Sequence, residues 1–426
     1  MNYLNKKHRE YGDIAVGIIG SGLMGTSLLT QLKQLEGFSP IIMASRRRES
    51  LEEACKNADI LPSQYIFSND LTVIKEALGK KDYILTTDIL IPATLPDVVV
   101  DCTGDTEAGA RISLCAIENR VHIVTLNVEM DATIGPYLKY LADQKNMVYS
   151  GTAGDEPGAI MELYEFAKNC GFEIIALGKG KNNELNIHAN PRSLREEAEK
   201  KGISPKMLTS FVDGTNTMIE LTSVCNATGF VPDIRGCHNF KSTPQNLASD
   251  IALAEDGGVL SQKKVVDFVR GIAPGVFAIV KTSSSYIKKE MEYLKMGKGN
   301  QFAIYRPYHL TSIETPLSII RAKVLKDSTI APISIRPYGE TITVAKTDLK
   351  RGQKLQPIGG FDVYGTLEKY EIAKEQAFLP IGLVVEGTVA TRDIKAGELI
   401  RYEDVKLVED STIVKVRKLQ NSLCED

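Results

Sequence analysis

A glycine-rich segment near the N-terminus has the spacing G-x-G-x-x-G, in Gly20-Ser21-Gly22-Leu23-Met24-Gly25. It follows an apolar, strand-like run and precedes a helical pattern with leucines at positions 28, 29 and 32. In that context the first glycine permits a tight turn, the second lets backbone approach a pyrophosphate, and the third packs helix on strand. The helix N-terminus supplies free N–H groups for the phosphates. The segment therefore predicts a dinucleotide-binding turn, with cofactor contacts from Gly20, Gly22, Leu23, Met24 and Gly25.

The next strand-like run ends in Ser45-Arg46-Arg47-Arg48, and no acid precedes Glu49. An NAD-binding chain usually places an acidic residue here to hold the ribose 2′-hydroxyl. A hydroxyl and guanidinium groups instead suit a 2′-phosphate, which takes cationic, fork-shaped donors. Ser45, Arg46 and Arg47 therefore predict NADP(H) as the cofactor. The alternative is a solvated basic run before a helix.

Two further strand-like runs end in polar residues, at Asp101-Cys102-Thr103-Gly104 and at Thr125-Leu126-Asn127. The carboxyl ends of parallel strands meet at one sheet edge, where the nicotinamide would lie. Thr103, Gly104 and Asn127 are therefore candidate cofactor contacts. Asp101 fits a structural cap equally well.

Two lysines in the middle of the chain, Lys179 and Lys181, directly follow the strand-like run 173–177 and alternate with glycines. Glycine lets a ligand approach the backbone closely. Paired ammonium groups suit a phosphate or an enediolate oxygen. We expect both lysines to bind substrate oxygens, one of them in the chemical step; the alternative is a pair of solvated loop lysines.

The remaining catalytic candidates are Asp213, Glu220, Arg235 and His238. Asp213 stands before a helical pattern in which Asn216, Glu220 and Ser223 share one face. Asp213 and Glu220 are also the candidate oxygen ligands if a divalent cation such as Mg²⁺ or Mn²⁺ is used, although no metal site is identified. His238 could shuttle a proton near neutral pH, or be an exposed loop histidine.

The elements that would position these groups fall into three segments of the 426 residues. Strand and helix signals alternate over residues 1–150, which predicts a parallel, doubly wound Rossmann domain that binds NADP. Residues 151–330 read as a mixed α/β substrate domain, with strands at 173–177, 275–281 and 301–306 and helices at 215–228 and 286–295. Residues 331–426 have short β-branched strands and many turns, which predicts a small β-rich domain.

This last segment contains a near-repeat, in which the stretch 345–353 (AKTDLKRGQ) matches 390–398 (ATRDIKAGE). Each copy would form a turn between two strands of a hairpin-like unit. With the pattern D-I-K-x-G-E-x-I-x-x-x-D-V, the segment resembles the SAF fold of antifreeze-like, sialic-acid-synthase and flagellar-chaperone domains.

The glycine fingerprint, the Asp101-Cys-Thr-Gly stretch and the Thr125-Leu-Asn-Val-Glu stretch together resemble homoserine-dehydrogenase-like oxidoreductases. With the SAF-like tail, the chain is most similar to the group that includes the 1-deoxy-D-xylulose 5-phosphate reductoisomerase-like enzymes of isoprenoid biosynthesis. The stretches GTAGDEPG (151–158), GKGKN (178–182), FVDGT (211–215) and YRPYHL (305–310) carry that resemblance. True homoserine dehydrogenases have a lysine after the strand-end asparagine, where this chain has Val128, and an acid in place of His238.

The resemblance implies NADPH-dependent reductoisomerisation of 1-deoxy-D-xylulose 5-phosphate to 2-C-methyl-D-erythritol 4-phosphate, by a homodimer or another homo-oligomer. The alternatives are a homoserine or sugar-acid dehydrogenase, and an NADP-binding sensor whose SAF-like segment recognises a ligand. A net charge of −3 argues against a nucleic-acid partner, and no apolar stretch approaches the roughly 20 residues of a membrane span. Seven scattered cysteines without a paired spacing predict reduced thiols and a cytoplasmic location. We therefore expect a small-molecule substrate as the partner, with no nucleic acid and no membrane.

Overall fold

The structure, a computed structural model, describes the backbone of residues 2–424 and the side chains of residues 3–424. The first 155 residues alternate strands with helices. The helices are α1 (Asn2–Tyr11), α2 (Leu23–Lys33), α3 (Arg48–Asn57), α4 (Leu71–Ala77), α5 (Thr106–Glu118) and α6 (Val128–Gln144). The strands are β1 (Val16–Ile19), β2 (Ile41–Ala44), β3 (Tyr65–Phe67), β4 (Tyr83–Thr86), β5 (Val98–Asp101), β6 (His122–Thr125) and β7 (Tyr149–Gly151).

The middle of the chain mixes longer strands with helices of variable length. Its helices are α7 (Glu156–Asn169), α8 (Arg195–Lys201), α9 (Pro205–Val212), α10 (Thr215–Thr228), α11 (Leu247–Asp250) and α12 (Ser285–Tyr293). Its strands are β8 (Glu173–Lys181), β9 (Val231–Pro232), β10 (Phe240–Lys241), β11 (Val265–Arg270), β12 (Val276–Lys281) and β13 (Gln301–Arg306). The last stretch has α13 (Thr311–Ile320), β14 (Gly339–Ala345), β15 (Val363–Lys369), α14 (Tyr370–Glu375), β16 (Val389–Ala390), β17 (Val405–Lys406) and α15 (Thr412–Leu423).

The N-terminal strands form one parallel sheet in the order β3-β4-β2-β1-β5-β6-β7. β1, β2, β5 and β6 are buried along their whole length, which explains why they appear in the sequence as continuous apolar runs. The chain order reverses at β1, whose neighbours are β2 on one side and β5 on the other. This is the switch point at which open α/β sheets bind ligands, and the glycine fingerprint follows β1.

The predicted α/β class, with a Rossmann-type parallel sheet, a mixed sheet and small β elements, is confirmed. The sequence reading missed β3 and β4. β3 is only three residues long and half-buried, and β4 begins with a half-buried tyrosine, so neither gives a clear apolar signal.

The chain forms two compact units, and each unit combines residues from more than one of the three predicted segments. Unit 1 contains residues 1–155, 310–331 and 411–426, and unit 2 contains residues 156–309 and 332–410. Within unit 1, α13 packs on α2, and α15 packs on α5 and α6. Both oxygens of Glu107 accept hydrogen bonds at the start of α15, from Thr412 N and Ile413 N at 3.0 Å. The division into three domains at residues 150 and 330 stays a prediction.

Unit 2 is built on a mixed sheet, β10-β11-β8-β12-β13, in which β9 also pairs with β11. Its central strand β8 is parallel to β11 and antiparallel to β12. The expectation that the strand stops at Leu177 is wrong, because β8 continues to Lys181. A Cβ on Gly178 would lie 2.1 Å from Asp267 O, and one on Gly180 would lie 2.5 Å from Ala273 Cα. These glycines therefore serve close packing inside the sheet and do not form turns.

The two copies of the sequence repeat pair with each other. Leu349 and Ile394 exchange backbone hydrogen bonds of 2.8 and 3.0 Å. Asp348 of the first copy pairs with Lys395 of the second at 3.0 Å, and Asp393 pairs with Lys350 at the same distance. The repeat is therefore a reciprocal turn-to-turn contact, whereas each copy was expected to form its own hairpin-like unit. The SAF resemblance itself stays a prediction.

Among residues 2–424, no helix combines the length and the apolar character needed to cross a bilayer.

Candidate functional site

The three fingerprint glycines lie at the end of β1 and the start of α2, in unit 1. Gly20 has a φ of +108°, which only glycine adopts readily, and a Cβ there would lie 2.9 Å from Cys102 O. A Cβ on Gly25 would lie 1.9 Å from Gly20 O, so a side chain there would push the helix off the strand. A Cβ on Gly22 would meet no atom within 4 Å. Space for a ligand therefore lies at the helix start, where no side chain caps the N–H groups. This arrangement fits a pyrophosphate.

The predicted 2′-phosphate residues surround the end of β2. Ser45 Oγ accepts a hydrogen bond of 2.8 Å from Ser21 Oγ, which ties this strand end to the fingerprint turn. Arg48 is engaged elsewhere, since it pairs with Glu52 at 2.8 Å and lies over the Phe67 ring. Arg46 and Arg47 are exposed, and neither guanidinium has a partner among the side chains the structure describes. Two cations are therefore available at the end of β2, where the 2′-phosphate contact is predicted.

The polar ends of β5 and β6 are joined by a buried hydrogen-bond network. Asp101 accepts from Thr103 N and Oγ1 at 2.9 and 2.7 Å, and from Asn127 Nδ2 at 3.0 Å. Burial raises the pKa of Asp101, although the bonds from Thr103 and Asn127 oppose the shift. Asn127 Oδ1 also accepts from Met130 N and caps α6. The network fixes this sheet edge, and a contact of Thr103, Gly104 or Asn127 with the cofactor stays a prediction.

Lys179 is the centre of a second site, in unit 2. It lies near the end of β8, on the face that packs against α7 and α10. Its Nζ donates to Glu156 Oε1 at 2.7 Å and to Glu220 Oε2. Asn216 Nδ2 donates to the other oxygen of Glu220 at 2.6 Å, and His309 Nε2 lies 3.4 Å from Glu156 Oε1. A charged, hydrogen-bonded cluster therefore fills the end of the sheet face, where the neighbouring positions are apolar.

Burial and neighbouring charges shift the pKa values of this cluster in opposite directions. The Lys179 side chain is only 5% exposed, and burial would lower its pKa, but the carboxylates of Glu156 and Glu220 outweigh that effect and raise it. Burial and the nearby Glu156 raise the pKa of Glu220, against the opposing effect of Lys179. An ammonium has three hydrogens, and two of them are used by the glutamates. The third has no acceptor among the described residues and can serve a ligand oxygen.

Lys181 lies two residues further along the same strand face. It is buried, and its Nζ donates to Phe211 O at 2.5 Å, at the end of α9. Burial lowers the pKa of Lys181 to about 8, and the positive charge of Lys179 adds to the shift. Both lysines are thus buried at one strand end, and the alternative of solvated loop lysines is wrong.

Glu220 reaches Lys179 because of the way α10 begins and lies. The helix starts after Gly214, whose φ is +90°, and ends at Gly229, whose φ is +76°. It is buried on nearly all sides between the sheet and the C-terminal strands. Asn216 and Glu220 are one turn apart on one face, so both point to the same place. The predicted polar stripe is therefore buried inside unit 2.

Asp213 belongs to a different contact. Its Oδ1 accepts from Thr215 N at 3.0 Å, and its Oδ2 pairs with Lys346 Nζ at 2.8 Å. Glu156 and Glu220, in contrast, belong to a carboxylate group whose donor atoms lie within 4.8 Å of one another, and Asp213 is not in it. The two metal ligands expected from the sequence, Asp213 and Glu220, are therefore not brought together.

Arg235 and His238 also lie apart from Lys179. Arg235 pairs with Glu368 at 2.7 Å and lies over the Phe378 ring. His238 Nδ1 lies 2.9 Å from the buried Asp267, and that hydrogen bond raises the pKa of the imidazole. Asp267 alternates along β11 with residues of the α7/α10 face, so its side chain is on the opposite face of the sheet. Arg235 and His238 therefore make no described contact with the cluster around Lys179, and their catalytic roles stay predictions.

Glu156, His309 and Lys346 are among the residues of these contacts that were not predicted as site residues from the sequence. Glu156 is the acid in the first turn of α7. Its stretch, and that of His309, both belong to the motifs that carried the family resemblance, which was the available signal. Lys346 opens the sequence repeat, and nothing in the repeat itself indicates a buried partner.

Two family models match parts of the chain. Residues 154–315 match the catalytic domain described as Oxidoreductase DRL. Residues 16–204 match the NADP-binding domain of saccharopine dehydrogenase. The chain is thus an oxidoreductase with an NAD(P)-binding domain. No curated protein sequence matches it significantly.

Solved structures of several dehydrogenases are similar to the chain. A UDP-N-acetylglucosamine 3-dehydrogenase of Acidithiobacillus ferrooxidans is 11% identical, with a TM-score of 0.40 over 75% of this chain and 92% of that one. A probable dehydrogenase of Thermotoga maritima is 11% identical, with a TM-score of 0.42 over 75% and 91%. A scyllo-inositol dehydrogenase of Lactobacillus casei, with bound NAD(H) and scyllo-inositol, is 12% identical, with a TM-score of 0.36 over 69% and 76%.

Proposed function

We propose that the protein is an NADPH-dependent reductase of a small hydroxy-ketone, with Lys179 as the group that holds and protonates the carbonyl oxygen. The observation that carries the proposal is the buried ammonium of Lys179, which two glutamates hold in place while its third hydrogen is left for a ligand. A cation fixed in a water-poor place stabilises a developing oxyanion without having to reorganise first.

Bound NADPH supplies a hydride to the carbonyl carbon. Lys179 hydrogen-bonds to the carbonyl oxygen and transfers a proton to it as the alkoxide forms. The neutral amine then takes a proton from solvent, because the adjacent carboxylates of Glu156 and Glu220 favour the charged ammonium. One hydride and one proton are consumed for each carbonyl reduced.

The finer proposal is reductoisomerisation of 1-deoxy-D-xylulose 5-phosphate, which rests on the family resemblance as well as on the site. Rearranging an α-hydroxyketone requires two substrate oxygens to be held while the carbon skeleton shifts. Lys179 and Lys181 lie on one strand face two residues apart, so they can hold neighbouring oxygens. The carboxylate of Glu156, which contacts Lys179, is a candidate acceptor for the hydroxyl proton.

A substrate panel tests the proposal. NADPH consumption is followed with 1-deoxy-D-xylulose 5-phosphate, other phosphorylated ketoses and aspartate semialdehyde. With sugar acids, the formation of NADPH from NADP+ is followed instead. Consumption with the first substrate and a branched product in NMR supports reductoisomerisation, whereas an unbranched polyol supports simple reduction. Activity with aspartate semialdehyde or a sugar acid identifies the dehydrogenase alternatives. NADPH binding without turnover of any substrate contradicts the proposal and favours the sensor.

We further expect the protein to prefer NADPH to NADH, because Arg46 and Arg47 are exposed and unpaired within the described structure. Changing both to glutamate should weaken NADPH binding at least 100-fold and NADH binding less than about threefold, since only NADPH carries the 2′-phosphate. Fluorescence titration of both cofactors measures the ratio.

The matched control is Arg48→Glu, because Arg48 belongs to the same basic run but is paired with Glu52. It should leave the NADPH to NADH ratio within about twofold. Equal binding of the two cofactors by the wild-type protein would show that the basic run is only a solvated surface.

A further inference from the structure

Lys346 is a buried lysine with a complete set of acceptors. It directly follows β14, and its side chain is 2% exposed. Its Nζ donates to Asp213 Oδ2 and Ala189 O at 2.8 Å, and to Gly360 O at 3.1 Å. These three bonds use all three hydrogens of the ammonium. Lys346 is therefore fully occupied by its own protein and has no hydrogen left for a substrate.

The partner carboxylate stands at the junction between α9 and α10. Asp213 ends α9, and its second oxygen accepts from Thr215 N, the first residue of α10. The same junction receives the Lys181 bond at Phe211 O. Any shift of Asp213 would move both the start of α10 and the acceptor that holds Lys181.

The C-terminal strands hold α10 at three further points. Gly365 N donates to Thr215 Oγ1 at 2.9 Å, and the hydroxyls of Thr222 and Thr341 share a hydrogen bond of 2.7 Å. Asn226 Oδ1 accepts from Tyr338 N at 2.8 Å and from Gly339 N at 3.2 Å. The helix is thus attached to β14 and β15 from its first turn to its last. The only charged attachment in this set is the Lys346–Asp213 pair, at the end nearest Asn216 and Glu220.

We propose that Lys346 is a positioning residue, which through Asp213 fixes the first turn of α10 and thereby the places of Asn216 and Glu220 against Lys179. The C-terminal β segment consequently acts on the reaction without touching the substrate. The catalytic part of this inference rests on the proposed function, whereas the positioning of α10 does not.

Lys346→Met tests the proposal in the full-length chain. The turnover is expressed per NADPH-binding site, counted by fluorescence titration, so that unfolded protein does not enter the result. We expect kcat per site to fall at least tenfold and the Kd for NADPH to stay within twofold, because unit 1 carries the fingerprint. Amide hydrogen exchange, followed by mass spectrometry, should become at least fivefold faster in peptides covering residues 213–220, and unchanged in peptides of β1 and α2.

Two additional variants separate positioning from general destabilisation. Asp348→Asn removes an exposed ion pair of the same β segment and should change neither kcat nor exchange in α10. Lys346→Met combined with Asp213→Asn leaves no unpaired buried charge, so thermal stability should recover while kcat stays at least fivefold low. An unchanged kcat per site in Lys346→Met, or full recovery of kcat in the double variant, would overturn the proposal.

The exchange measurement also separates this inference from the proposed function. If the wild-type protein reduces no carbonyl compound, the function is wrong, but faster exchange at residues 213–220 in Lys346→Met still supports the positioning. If the wild type is active and the exchange of α10 does not change in Lys346→Met, the positioning is wrong and the function stands.

Discussion

Replacing Lys179 with methionine should lower kcat about 100–1000-fold, the loss seen when one donor to a developing oxyanion is removed, which corresponds to about 2.7–4 kcal/mol. The expected size follows from the place of the ammonium, which is buried, held by two carboxylates and left with one free hydrogen. Methionine keeps the length of the side chain and loses the donor. Steady-state kinetics with NADPH and the active carbonyl substrate measure the change, and the Kd for NADPH should stay within twofold.

The same change leaves Glu156 and Glu220 together without their cation, which can destabilise the protein by about 3–5 kcal/mol. Lys179→Met combined with Glu220→Gln removes one of the two negative charges and should recover most of the stability but not the activity. Lys263→Met is the matched control, since Lys263 forms an exposed pair with Glu173 at the start of the same strand. It should leave both kcat and the free energy of unfolding nearly unchanged, because exposed ion pairs contribute little to stability. A Lys179→Met protein that folds and keeps more than a tenth of the wild-type kcat would exclude Lys179 from the chemical step.

The parallel sheet of unit 1 could be predicted from sequence because its central strands are buried on both faces. The apolar runs 14–19, 41–44, 98–102 and 122–126 predict strands, and β1, β2, β5 and β6 occupy these places to within two residues. A strand buried on both sides is a continuous apolar run, and the glycine fingerprint fixes its position next to a helix. β3 is the edge strand of the sheet, where burial is partial and the pattern fades, and its neighbour β4 is only four residues long.

The lysine site shows what a linear pattern leaves out. Lys179 and Lys181 were recognised as a pair, but they were placed beyond the end of the strand, and their glycine neighbours were expected to let a ligand approach the backbone. In the structure the glycines let β11, β12 and the 272–273 segment approach β8, and the strand continues through them. The lysines are consequently buried, which gives them their pairing and their altered pKa values.

The sequence also could not show which charged residues, distant along the chain, pair with each other. Asp213 and Glu220 were grouped together because they lie seven residues apart around the start of α10. The fold instead gives Asp213 to Lys346, 133 residues away, and Glu220 to Lys179, 41 residues away. Buried charges require a partner, but the sequence contains 51 lysines and arginines, and only the fold selects among them.

Lys181 should make the substrate affinity fall as the pH rises, because burial lowers the pKa of its ammonium group. Its pKa is lowered to about 8, first by burial and then by Lys179, so its charge is lost above that pH. If the ammonium holds an anionic substrate oxygen, KM should be constant below pH 7 and rise toward tenfold per pH unit above pH 8. Lys181→Met should have a KM raised at least tenfold at pH 7 and nearly independent of pH, with kcat less affected than in Lys179→Met.

The lowered pKa of Lys181 should also make the free energy of unfolding increase with pH. Between pH 8 and 10 the unfolded chain keeps the proton on Lys181, whose ordinary pKa is 10.5, while the folded chain has released it. The unfolded state therefore binds more protons, and the stability that Lys181 contributes increases with pH through this window by up to about 1.4 kcal/mol per pH unit. Below pH 8 the folded protein bears the full cost of burying the charge, so Lys181→Met should gain stability relative to wild type there, less the lost bond to Phe211 O. Urea unfolding of both proteins from pH 7 to 10 measures the difference in their free energies of unfolding. If this difference does not change with pH, Lys181 keeps its ordinary pKa and is not the buried cation that substrate binding requires.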